Sequence, residues 1–451
     1  MHRLKNPTFL EISLLVLVVI LQFIWLLPNT IAIRNFCLIG GGFISLLLIF
    51  FYYKPQQINH HLPLLMLLGL PIWLYLHYLW IPVDLKLQWY DLSGTWLRVT
   101  LGILIAYSLG KILIKKPRWG LWIFCSYILM AVITLILFFK TAATLHTYNF
   151  VFTGWYKTKI AGAYFMVFNC LTCFGLLLAI NRNNAKKVWE TRIFIIGLIA
   201  VIGMCILNCI AFHSLIGVAV NGFMGLACAL LLLFLKNKRQ ILFSTLLMGS
   251  IVALLIIFIQ YDVKYEGKLA NLKNDFLISL NIDKNKTWSR SNDVTGVPDP
   301  IDINGRTVNL STYERTSWLI KGSQLIIEHP LGTGFSWSAF KYYMTKLYPG
   351  STVEKTHSAW LDFALGVGLP GLFLTWSAIF LILKKAFRQL KSANYGAHSW
   401  VINFVVIGIS LLWVVGEVSE REFIEHFFFV LALSASYLGF RDFPSSSIKA
   451  Q

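Results

Sequence analysis

Apolar residues in this chain fall into long runs separated by short polar stretches. Twelve runs approach the roughly 20 residues that a helix needs to cross a bilayer. They lie at 9–27, 36–53, 62–81, 97–114, 118–139, 162–180, 192–212, 214–235, 240–260, 358–384, 398–416 and 423–440. The pattern predicts an all-α, polytopic membrane protein with about 12 transmembrane helices. One polar stretch, 261–357, is far longer than the others and holds 12 basic and 10 acidic residues. Within it, Tyr313 to Glu328 has helical spacing, with Trp318, Leu319, Leu325 and Ile326 as its apolar face. Pro330, Gly332 and Gly334 end that helix. A second short amphipathic helix is expected at Ser336 to Leu347, and Asn281 to Ser311 reads as irregular. The expected organisation is helices 1–9 over residues 1–260, a large loop over 261–357, and helices 10–12 with a tail over 358–451. Long structured loops are usually functional, so the chemistry is sought there.

Composition narrows the class. Of 451 residues, 57% are apolar and 13% charged, about half the charged share of a soluble domain. A cytosolic enzyme, a disordered chain and a secreted disulfide scaffold are excluded. The net charge of +19 does not point to nucleic acid, because most of the excess sits in short loops between apolar runs. Placing the N-terminus in the cytoplasm makes 1–8, 54–61, 111–118, 181–192, 236–239, 384–397 and 441–451 cytoplasmic. Those loops hold 20 of the 39 Lys and Arg but only two acids, Glu190 and Asp442. The positive-inside rule then puts both termini in the cytoplasm and the large loop outside. The first run, Phe9 to Leu27, lacks a small-residue cleavage site after it and is read as a retained helix. The seven cysteines lie in or beside apolar runs, and Cys170-x-x-Cys173 has no second ligand pair, so they read as small buried residues. Trp80, Trp89, Tyr90, Trp96 and Trp155 are expected in the interfacial aromatic belt. Run interiors nearly free of ionisable groups count against a secondary transporter.

The most specific pattern follows the large loop: His357-Ser358, nine residues, Gly368, two residues, Gly371. A histidine at the outer mouth of a membrane helix can serve as a base near neutral pH. Upstream stand Glu314-Arg315-Thr316-Ser317-Trp318 and Glu328-His329-Pro330-Leu331-Gly332-Thr333-Gly334. Together these resemble the O-antigen ligase and polymerase superfamily of bacterial inner-membrane glycosyltransferases. Its members carry a histidine, a small polar residue and two glycines at this spacing, after a large periplasmic loop with an arginine, an aromatic and a proline-glycine element. The chain departs from the family near the outer end of the helix before segment 8. Members usually show an arginine there, and this chain reads Ala211-Phe212-His213-Ser214. The role is left open among His213, Lys157 and Lys159. Members also place an acid or arginine in the last outer loop, where Glu417, Glu420, Arg421 and Glu422 stand.

The resemblance implies a glycan donor on undecaprenyl diphosphate, a lipid A–core sugar as acceptor, and an active site on the periplasmic face among membrane lipids. Cleaving a sugar–phosphate bond needs cations where negative charge grows. Arg315 is the first candidate, since a planar guanidinium grips phosphate through two donors. Lys321, six residues on, is read as sharing its helix face, and Lys157 and Lys159 form a second cationic patch. The bland alternatives are an Arg315 ion pair with Glu314 or Glu328, and interfacial anchoring for the lysines. His357 takes the acceptor proton, or else binds diphosphate when protonated. Ser358, Gly368, Gly371 and Trp318 are structural members of the motif, and Asp362 is read as a packing or water-lined group. No cofactor is expected, nor a metal, because the outer loops lack Asp-x-Asp and the nearest pair is Asp299 and Asp302. The reading is an inverting O-antigen ligase. The alternatives are an O-antigen polymerase, a pilin or protein O-oligosaccharyltransferase, and, in a different class, a lipid-linked oligosaccharide flippase.

Overall fold

The computed structural model describes residues 7–53, 61–148, 150, 152–182, 188–234, 271–302, 305–390, 396–416 and 420–441, with isolated positions 249, 256 and 260. Its regular elements are helices, apart from one bridge between Ile301 and Thr307. The protein is an all-α polytopic membrane protein. The spans are α1 (Thr8–Ile24), α2 (Ile31–Leu47) and α3 (Leu62–Trp80), then the short α4 (Leu85–Asp91) leading into α5 (Leu97–Lys115). They continue with α6 (Gly120–Leu145), α7 (Lys159–Arg182), α8 (Val188–Ala211) and α9 (Leu215–Leu233). The loop segment carries α10 (Leu272–Ser279), α11 (Leu310–Glu328) and α12 (Ala339–Leu347). The last spans are α13 (Ala359–Leu390), α14 (Gly396–Val415) and α15 (Arg421–Arg441). The run at 240–260 lies almost wholly outside the described residues.

Two of the boundaries that differ from those read in the sequence show why they moved. Helix α2 starts at Ile31, which brings Arg34 inside it, because Arg34 finds carboxylate and carbonyl partners there. A wide turn over Leu92–Trp96 joins α4 to α5, so one helical span runs from Leu85 to Lys115. Asp84 starts it by accepting a hydrogen bond from the Leu87 amide at 2.9 Å.

Helices α7 and α15 form the centre. In the most apolar stretch of α15, 94% of residues are buried, against 28% in that of α6. Close packing rests on small residues, as expected where lipid offers no hydrophobic drive for helix association. A Cβ at Gly175 of α7 would strike the Val401 backbone of α14, and one at Gly110 of α5 would reach Ser436 and Tyr437 of α15. Large apolar side chains such as Phe36, Phe43, Phe223 and Phe373 stay exposed, where lipid tails would cover them.

The connections at 25–30 and 212–214, with Gly416 and Glu420, gather at the end of the bundle that carries α11 and α12, here the loop end. Lys355 pairs with Glu420 there at 2.8 Å, and Phe152 stacks on Phe212 at 5.6 Å. At the opposite end Lys116 pairs with Glu11 at 2.7 Å. Trp96 leaves the aromatic belt: its ring is 1% exposed, and its Nε1 donates to Asp91 Oδ2 at 3.0 Å. Trp80, Trp89, Tyr90 and Trp155 are exposed.

Helix α13 is broken near its loop end. Gly368 has φ +71° and ψ 174°, a backbone state essentially reserved for glycine, and Pro370 follows. Gly368→Ala therefore costs at least about 1–3 kcal/mol from backbone strain alone, and its Cβ would also fall on the Leu331 carbonyl. Thermal unfolding in detergent should show a clear loss for Gly368→Ala and almost none for Gly203→Ala, whose Cβ meets open space.

Candidate functional site

An opened turn of helix inside a membrane protein leaves backbone groups that need partners. The segment after α11 supplies them. Thr333 N donates to Leu365 O at 2.9 Å and Gly334 N to Gly366 O at 2.8 Å. Leu369 N donates to Pro330 O at 2.7 Å, and Trp73 Nε1 to Val367 O at 2.8 Å. The two glycine-containing motifs thus dock backbone to backbone. A side chain at Gly332, Gly366 or Gly368 would strike the facing main chain, and one at Gly334 the side chains of Gln88 and His77. Gly371 lets Val367 and Leu70 close in beside it. Buried polar groups hold the docked segment from the other side. Gln88 Nε2 donates to Thr333 O at 2.8 Å and meets His77 Nδ1 at 2.9 Å. Asp91 Oδ2 accepts from Ser336 N at 2.7 Å and from its hydroxyl at 2.8 Å.

His357 sits where the loop segment enters α13. Its φ of +61° is left-handed, uncommon for a residue with a side chain. The turn is fixed on both sides. Thr356 N donates to Asp362 Oδ1 at 2.9 Å, Thr356 Oγ1 donates to Ser358 O at 3.0 Å, and Ser358 N donates to Thr356 Oγ1 at 3.2 Å. Asp362 is therefore a buried positioning group for the turn. The half-buried His357 ring stacks on Trp318 at 5.1 Å and 13°. Trp318 is held by its Nε1 donating to Trp288 O at 2.8 Å. The Arg290 guanidinium lies over the same indole, 5.4 Å from its centroid. Arg290 also grips Glu314 with two hydrogen bonds, one of 2.7 Å from Nε. That pairing raises the pKa of Arg290 above its ordinary value.

The partner of Glu314 is thus Arg290, and among the described residues Arg315 forms no ion pair with Glu314 or Glu328. Arg315 is exposed. Lys321 is not on its face: six residues of regular helix turn it about 120° away. Lys159 opens α7 and is exposed, and His213 is exposed in the turn between α8 and α9, with φ +48°.

Lys157 lies elsewhere, on the wall of a loop-end cavity of about 320 Å³ between the α1–α2 turn and the starts of α7 and α15. Arg34, Glu420 and Glu422 also line it. Arg34, 2% exposed, donates to Trp25 O at 3.0 Å and to Glu422 at 3.2 Å. Beneath lies Glu425, 3.6 Å from Arg34 and 2.5 Å from Arg98. The bundle therefore holds charges near its loop end that the apolar runs masked. Beside them the Arg421 guanidinium lies over Tyr90 at 4.3 Å and Trp337 at 4.2 Å, while its Nε and Nη2 are buried without a hydrogen-bond partner among the described residues. Sequence reading missed Arg34, Arg98, Arg290 and Asp91 as members of this region. A lone arginine in an otherwise apolar helix was the available signal for Arg34 and Arg98. Arg290 carried none, because only the fold brings it to α11. Among the described residues, no three His, Cys, Asp or Glu side chains gather as a metal site.

Residues 199–376 match the family model described as O-antigen ligase. The match covers less than half of the chain, and includes Arg315, Trp318, His357, Gly368 and Gly371. Over that segment the chain is similar to the O-antigen ligase family. No curated protein matches the chain.

The docking has a simple test. Asp91→Ala leaves buried donors of Ser336 and Trp96 without an acceptor, at about 1–3 kcal/mol each. Asp91→Asn keeps an oxygen in place, so its unfolding temperature should fall much less than that of Asp91→Ala. Equal losses would show that the acceptor is not what matters.

Proposed function

We propose that the protein is an O-antigen ligase. In this reading it moves polysaccharide from undecaprenyl diphosphate to a hydroxyl of a lipid A–core sugar, on the periplasmic face of the bacterial inner membrane. Both termini are cytoplasmic, and residues 261–357 form the periplasmic loop. The observation that carries the reading is the placement of His357, inside the matched family segment, in a fixed turn at the junction of loop and broken helix.

His357 takes the proton of the acceptor hydroxyl as its oxygen attacks the anomeric carbon. The bond from that carbon to the phosphate oxygen breaks, and the electron pair leaves with undecaprenyl diphosphate. Direct displacement inverts the anomeric centre, and no metal or cofactor takes part. Two guanidiniums answer the charge on the leaving group. Arg315 is exposed on α11. Arg421 has a buried Nε–Nη2 edge without a hydrogen-bond partner among the described residues, the edge that pairs with phosphate through two hydrogen bonds. Arg421 takes the place of the arginine that the stretch Ala211-Phe212-His213-Ser214 lacks. Trp318 and Ser358 position His357, and Lys157, Lys159, Lys321 and His213 have outer supporting roles at most.

A charged cavity is also what a flippase would show. Purified protein separates the two, because only an enzyme converts donor to product without a second compartment. Wild-type protein mixed with lipid-linked donor and lipid A–core should yield glycosylated core. His357→Ala and Arg315→Ala should lose at least about 100-fold, the scale of a general base or charge-stabilising group, with membrane insertion and unfolding temperature unchanged. Full activity in a well-folded His357→Ala protein would sink the catalytic assignment.

A further inference from the structure

The loop-end cavity gives no role to most of its walls in the transfer chemistry above, yet three separate segments of the chain build it and mix charged, polar and apolar groups in its lining. Its volume of about 320 Å³ is at the small end of small-molecule sites. Charge decides what it can hold. Arg34 and Lys157 contribute two positive charges to the lining, and Glu420 and Glu422 two negative ones. Of the two lining cations, Arg34 is answered by Glu422 at 3.2 Å and Glu425 at 3.6 Å, and the lining carboxylate Glu420 is held by Lys355 at 2.8 Å. A diphosphate entering this space would face two carboxylates and would have to break those pairs. A neutral polyol faces no such cost.

The walls combine hydrogen-bond donors and acceptors with apolar side chains. Carboxylates accept from hydroxyls, and the Lys157 ammonium donates. The Asn29 amide can do both. Thr30 spends its hydrogen on the carbonyls of Ile24 and Leu27 at 3.1 and 2.8 Å, leaving its oxygen as an acceptor. Leu27, Ile31 and Phe423 supply the apolar patch. Alternating hydroxyls above an apolar ring face are the chemistry of a sugar.

We infer that this cavity is a binding site for a neutral sugar ring, distinct from the diphosphate-gripping arginines, and that it seats the acceptor glycan. The acceptor assignment rests on the ligase reading; the sugar assignment does not. Position agrees with it: Glu420 is bridged to Lys355, two residues before His357, so a sugar held by Glu420 lies next to the turn that carries the base.

The test uses the full-length protein in detergent and two probes, core oligosaccharide released from lipopolysaccharide by mild acid, and inorganic pyrophosphate. Saturation-transfer NMR reads sugar binding directly. Two variants guard against a folding artefact. Glu420→Gln removes a carboxylate charge, and Asn29→Gly removes the amide at a position whose φ of +60° glycine accepts without strain. Wild type should show saturation transfer to the oligosaccharide that pyrophosphate leaves intact. Each variant should weaken binding about tenfold, the order of one hydrogen bond. In the transfer assay the same variants should raise the acceptor KM and leave kcat and the donor KM within twofold of wild type, roughly. Absence of sugar binding in wild type, displacement by pyrophosphate, or unchanged binding in both folded variants would overturn the site. Sugar binding that behaves as described in a protein without transferase activity would leave the site standing and remove the ligase reading instead.

Discussion

The structure turns on one break in a helix. Opening α13 at Gly368 frees backbone groups that a membrane protein must satisfy internally, and the Pro330–Gly334 segment satisfies them strand-like, main chain to main chain. That contact locks the end of α11 to the start of α13. Residues 355–358 run between these two helices, so the docking sets where the His357 turn can lie. Glycines are needed at the contact because the two backbones meet with no room for a Cβ. A pair of motifs separated by about 35 residues in the sequence is therefore a single structural unit.

Much of the fold was legible because a bilayer asks for long apolar runs. Eleven of the twelve runs appear as described helices, and the helix read at Tyr313 to Glu328 appears as α11 from Leu310. Boundaries slipped where polar residues are stabilised by partners that sequence does not display. Arg34 looked like a loop residue until Glu422 and Glu425, almost four hundred positions away, explained its place inside α2. The candidate site was legible only in its local motif. His357, Gly368 and Gly371 announce themselves by spacing, whereas Arg290 meets Trp318 and Glu314 through tertiary contact alone. The expected kinship of Lys321 with Arg315 failed on helix periodicity: six residues do not return to the same face.

Charge at the loop end is sorted rather than pooled. Arg34, Arg98 and Lys355 are spent on Glu422, Glu425 and Glu420, pairs whose value in a low-dielectric setting depends on every partner being present. The cations left without ion pairs among the described residues include Arg315, and Arg421 keeps a buried hydrogen-bonding edge that no described residue answers, between two aromatic rings. Such a division suits a reaction with one anionic and one neutral substrate. The leaving diphosphate needs unspent guanidinium, and a sugar hydroxyl needs acceptors and a base.

The central claim is that this chain joins lipid-linked polysaccharide to lipid A–core. Lipopolysaccharide from a deletion strain, with and without the wild-type gene, run on a gel beside an extract of lipid-linked glycan, tests it most directly. The account predicts bare core with long glycan stranded on undecaprenyl diphosphate, restored to a full ladder by the gene. Core carrying a single repeat, or an unchanged ladder, would contradict it.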